Sequence, residues 1–166
     1  MASLLNEYQE WHTPVVGAYL LWRFTSEYMK HRSDGVAPSF LLHCVASAIL
    51  SNPTYADQIV HARTLHSYGN YFIQEGLADK LEKLHYRVAK LLPYTKRAVD
   101  IAVDRHLLVW DTNNGGLLPV AINTQARGSR TLSPSVMELG KRAATLGKWF
   151  AQSTLNEITI DLGVRF

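Results

Sequence analysis

The stretch Thr13-Pro-Val-Val-Gly-Ala-Tyr-Leu-Leu-Trp-Arg-Phe24 decides how the rest of the chain must fold. Threonine followed by proline marks a helix start: the hydroxyl accepts from a free N–H of the first turn, and proline there has no N–H to leave unsatisfied. From Val15 to Phe24 the residues are apolar around most of the helical circumference, with Arg23 the exception between Trp22 and Phe24. A helix with so little polar surface is one that other elements surround. Arg23 is expected to stack on the adjacent rings or to pair with Glu27, one turn on. The fold therefore builds outward from a buried helix, and the remaining segments supply its walls.

Downstream, Ser33-Asp34-Gly35 breaks the helix and Pro38 closes the loop. Ser39 to Leu50 is a continuous apolar run whose length and alanines favour helix over strand. Asn52-Pro53 repeats the cap-and-proline signal and predicts a helix to about Arg63. Ser67-Tyr-Gly-Asn-Tyr-Phe72 sets two turn formers among aromatics and predicts an irregular segment. Leu81, Leu84, Val88 and Leu91 step by three, four and three, which predicts an amphipathic helix from about Ala78 to Leu92, ended by Pro93. A second helix follows from Tyr94 to Arg105, with Ala98, Ile101 and Ala102 towards one face.

Leu107 to Ile122 then flanks Asn113-Asn-Gly-Gly116 with two apolar runs, a hairpin signal because these residues tolerate the positive φ of tight turns. Pro119 suits an edge position. Helix, helix, hairpin over residues 78–122 is the order of a winged helix. Gln125 to Thr131 reads as a basic polar linker. Ser133-Pro134 opens a long helix whose seam is Val136, Leu139, Ala143, Leu146 and Phe150. Beside the seam runs a strip of small residues, Gly140, Ala144, Gly147 and Ala151. Glycine costs about 1 kcal/mol inside a helix, so these two call for a reason. Close approach of another backbone supplies one, either within the fold or across a subunit contact. The fold class expected is mainly α with one β-hairpin, as a single domain over residues 1–166.

The 166 residues, 47% apolar and 19% charged, suit one globular unit with a real core. A net charge of +3 permits contact with nucleic acid or acidic protein without requiring it. One cysteine, Cys44, excludes an intramolecular disulfide framework and a four-cysteine zinc site, and within Phe40-Leu-Leu-His-Cys-Val-Ala it reads as a small buried side chain. The N-terminus lacks the charge pattern and apolar run of a signal peptide, and the longest apolar runs fall short of the roughly 20 residues that span a bilayer. A cytoplasmic protein without membrane contact is expected.

Signatures of chemistry are missing. There is no phosphate-cradling G-x-x-x-x-G-K-[ST] loop, no G-x-S-x-G elbow and no H-E-x-x-H pair. The seven histidines are scattered, and His61 and His66, five apart, diverge on a helix. Asp100 and Asp104 lie one turn apart, but Arg97 and Arg105 stand close by, so an exposed charged face is the reading. No catalytic residue, metal site or cofactor is expected. For nucleic acid, Lys96 and Arg97 would sit near the start of the second helix of a winged-helix arrangement, where phosphate contacts are common. That makes a winged-helix DNA-binding transcriptional regulator the alternative function.

Several segments together resemble a known family. They are the Pro14…Leu21-Trp-Arg-Phe24 stretch, Asn52-Pro-Thr54, Leu132-Ser-Pro134, Leu146-Gly-Lys-Trp-Phe-Ala151 and the closing Leu162-Gly-Val-Arg-Phe166. In this order they resemble the middle component of bacterial three-component ABC (ABC-3C) systems, which includes the small accessory subunit of Lamassu-type anti-phage and anti-plasmid defence. The resemblance implies a non-enzymatic adaptor in a hetero-oligomer, bridging an SMC- or Rad50-like ABC ATPase and an effector that is often a nuclease. It implies restraint of the effector until foreign DNA is sensed, with DNA reached through the complex. It also leads one to expect a more uniformly aliphatic run where this chain has His43, Cys44 and Ser47. Partner contacts favour aromatic and arginine anchors outside the core, so Trp11, Arg127, Arg130, Arg165 and Phe166 are the expected partner-binding residues. The tail Val164-Arg165-Phe166 has little chain left to cover it and must dock on its own fold or on a partner.

Overall fold

The computed structural model describes residues 13–122 and 132–166. Among them are eight α-helices and one two-stranded antiparallel hairpin. The helices are α1 (Pro14–His31), α2 (Phe40–Leu50), α3 (Pro53–Ala56), α4 (Leu65–Gln74), α5 (Ala78–Lys90), α6 (Leu92–Asp104), α7 (Pro134–Ala151) and α8 (Leu155–Leu162). The strands are β1 (Leu108–Trp110) and β2 (Leu117–Pro119). Mainly α with one hairpin is the fold.

α1 starts as its sequence dictates, with the Thr13 hydroxyl accepting from Val16 N–H and proline in the first turn. α6 and α7 flank it. The flanks approach through glycine. A Cβ on Gly147 of α7 would run into the Phe24 carbonyl oxygen, and one on Gly140 would lie 2.7 Å from the Tyr19 hydroxyl. The small-residue strip thus closes on α1, within the fold. Gly17 does the same for α6, facing Tyr94 and Ala98. Glu27 is held by Lys30 at 3.2 Å and His31 at 3.1 Å, so the expected Arg23–Glu27 pair is not the one that forms.

The polar residues of α2 are accommodated rather than excluded. His43 is fully buried, with Nδ1 2.7 Å from the Ser39 carbonyl and Nε2 2.8 Å from the Thr25 hydroxyl. Donation from Nδ1–H leaves Nε2 to accept from the hydroxyl. Cys44 is buried, and burial pushes its thiol up to about 11, which keeps it inert.

Three expectations are corrected. Residues 53–63 are not one helix; one turn of α-helix passes into a 3₁₀ helix at Asp57–His61. Pro93 does not follow the end of a helix but sits in the first turn of α6, after a single linking residue, Leu91. Ser67 to Phe72 is not irregular; it lies in α4. A capping box fixes the start of α4, with Thr64 and Ser67 exchanging side-chain and backbone bonds. Gly69 is used for contact rather than for a turn, because a Cβ there would strike the Asp161 carbonyl oxygen of α8.

The consecutive aromatics of α7 join two sides of the core. Phe150 meets Phe24 edge-on at 5.5 Å, while Trp149 packs on Tyr68 of α4 at 5.8 Å and donates from Nε1 to the Arg63 carbonyl. The helix–helix–hairpin order is present over 78–119. Its corner is one residue, shorter than the three or four usual in a helix-turn-helix.

Candidate functional site

α4, α5 and α8 enclose a groove of about 640 Å³, closed at one end by the chain after α8. Two features hold its walls. The absence of a side chain at Gly69 lets α4 lie directly on α8. Beside it, His66 Nδ1 is 2.9 Å from the Asp161 carboxylate, and Asn70 Nδ2 is 3.0 Å from His66 Nε2. Both ring nitrogens are therefore engaged, one donating to Asp161 and the other accepting from Asn70. This His–Asp pair clamps two helices; its second nitrogen is not available to activate a nucleophile.

The end of the groove is built by the tail. Gly163 caps α8 in the left-handed conformation at φ +64, which turns the chain back. Val164 is then buried in the core, and Arg165 N–H donates to His85 Nδ1 on α5 at 3.2 Å. The tail thus docks on its own fold through Val164 and leaves Arg165 and Phe166 exposed. Apolar side chains stand out along the walls: Ile73 of α4 is 61% exposed and Ile160 of α8 is 68% exposed. Between them lie the polar groups of His66, Glu82 and Arg165. Exposed apolar side chains mixed with polar groups are a composition that protein interfaces share.

Of the residues expected at a site, Arg165 lines this groove, and Phe166, next in the chain, is exposed. Lys96 and Arg97 are exposed on α6, on a separate surface. Trp11, Arg127 and Arg130 lie outside the described residues. Ile73, Ile160 and the His66–Asp161 clamp were not anticipated. Their only sequence signal was the Thr64–Ser67 capping pattern, which the glycine and asparagine of the same segment outweighed.

Among the described residues, no group of three or more His, Cys, Asp and Glu is placed to hold a metal ion. Asp100 and Asp104 are exposed on α6. No helix among the described residues is long and apolar enough to cross a membrane.

Fold and groove together define a small, mainly α-helical protein with a groove between three of its helices. More particularly, the model of the family described as ABC-three component (ABC-3C) system Middle Component 3 matches residues 1–166, and the chain belongs to that family. No curated protein and no solved structure matches the chain.

Proposed function

We propose that this chain is a non-enzymatic adaptor, one domain over residues 1–166, acting in the cytoplasm within a defence complex against phages and plasmids, of the Lamassu type or a close variant. In this reading it bridges an SMC- or Rad50-like ABC ATPase and an effector, often a nuclease, and restrains the effector until foreign DNA engages the ATPase. Family membership carries the reading, since a middle component of a three-component ABC system has ABC proteins as partners. The groove between α4, α5 and α8 supports it by offering apolar anchors on a braced frame, and we place a subunit contact there, with Ile73, Ile160, Arg165 and Phe166 as its anchors.

The test is co-expression with the genes that neighbour it, followed by purification through this chain. The ATPase subunit is expected to co-purify, and the chain alone is expected to hydrolyse neither ATP nor DNA. Ile73→Glu with Ile160→Glu is expected to release the partner, because two desolvated anchors become charges that binding would bury. A chain that never joins a complex refutes the adaptor reading. A complex untouched by the double variant moves the contact off this groove.

A further inference from the structure

We propose that the α5–α6 corner binds single-stranded nucleic acid, with Lys83, Lys90, Lys96 and Arg97 on the phosphates and Tyr86 as a stacking surface for a base. From Lys83 to Val99 the chain has five lysines and arginines and no aspartate or glutamate, leaving 12 Lys and Arg against 14 Asp and Glu elsewhere. The net positive charge of the protein is therefore concentrated at one corner. Structure keeps it together. Lys83, Tyr86 and Lys90 are spaced three and four apart, so they form one stripe on α5, opposite the buried Leu81 and Leu84. The single residue Leu91 then carries the chain into α6, where Lys96 and Arg97 are exposed in the second turn. Cations near a helix N-terminus gain nothing from the helix dipole, so helix stability does not account for these two.

Acidic groups border the corner without interrupting it: Glu82 is exposed one turn before Tyr86, Asp79 makes a loose exposed pair with Lys83 at 3.6 Å, and Asp100 is exposed one turn after Lys96. Arg87 is turned inward onto the Ala48 carbonyl and the Ser51 hydroxyl, adding charge but little reach. Tyr86 distinguishes nucleic acid from an acidic protein. At 74% exposure it is the most exposed large apolar side chain among the described residues, and it stands between two lysines. Its ring meets the adjacent His85 ring edge-on at 5.5 Å, and an exposed ring flanked by cations serves a strand whose phosphates and unstacked bases are both within reach. An acidic peptide would use the charges and leave the ring idle.

The test uses the full chain with a fluorescent oligothymidylate, the same length of duplex, and polyglutamate as competitor. Binding is expected to weaken with salt, with a log–log slope of about −0.7 per phosphate neutralised. Lys83→Ala, Lys90→Ala and Lys96→Ala together are expected to reduce affinity at least tenfold and flatten the slope by about 2. Tyr86→Ala is expected to cost about tenfold, and Tyr86→Phe to retain parental affinity. All four side chains are exposed, so a melting curve matching the parent confirms that each variant is folded. No binding at about 50 mM salt overturns the proposal. So does insensitivity to either set of variants, a preference for duplex, or equal competition by polyglutamate. The adaptor reading is tested separately, since ATPase co-purification does not depend on these residues.

Discussion

Gly147 faces the Phe24 carbonyl where α7 crosses α1, and two opposing effects meet there. Alanine would raise helix propensity by about 1 kcal/mol. It would also place a methyl group against a backbone oxygen that cannot rotate away, and overpacking of this kind costs typically 1–3 kcal/mol. The collision involves main chain on both sides, so it prevails: Gly147→Ala is expected to lose about 2 kcal/mol in urea denaturation. A stabilised variant would mean the helices are not this close.

His43 makes a second residue-scale case. Burial pushes its imidazole from its ordinary 6.5 down to about 4. Between those values the unfolded chain takes up a proton that the folded chain does not, so stability falls as pH drops through this window. The full effect is on the order of 3 kcal/mol. Between pH 6.5 and 4.5 the melting temperature is expected to fall, and His43→Gln is expected to flatten that fall. An unchanged slope would assign it to other groups.

At the scale of the element, α4 shows how little of a helix can reside in propensity. It contains Gly69 and Asn70, yet it forms because Thr64 and Ser67 satisfy its first N–H groups and because Tyr68 and Phe72 are buried. Thr64→Ala is expected to cost about 1 kcal/mol. Because α4 is a wall of the groove, amide exchange over residues 65–70 is expected to accelerate more than that of α7. Uniform acceleration across both helices would show that the cap supports global stability alone. α7 teaches the converse. Its heptad-like seam announced one buried face, while Trp149 and Phe150, adjacent in sequence, point to different neighbours and bury two.

At the scale of the molecule, the core and the exposed apolar side chains of the groove occupy different places. Phe24, Phe150, Tyr68 and Phe72 are fully buried and carry the core. Ile73 and Ile160 are mostly exposed and contribute little to it, so the double glutamate variant is expected to melt within a few degrees of the parent. The basic α5–α6 corner is a further surface distinct from both.

What the sequence determined by itself was local. Thr13-Pro14, Ser39, Asn52-Pro53 and Ser133-Pro134 each start a helix, because capping satisfies backbone groups a few residues away. Gly115 turns the hairpin at φ +71, because only backbone conformation is at stake there. The ordered motifs resembled the family to which the chain belongs. Tertiary structure alone decided the rest. Whether Gly147 and Gly69 were flaws or contact points depended on Phe24 and Asp161, 123 and 92 residues away respectively. The groove was equally hidden, since its walls come from three helices and a tail whose side chains share no spacing in the chain. Periodicity tells which face of a helix is buried; it cannot tell which other helix will bury it, and a docking site is made from the faces left over.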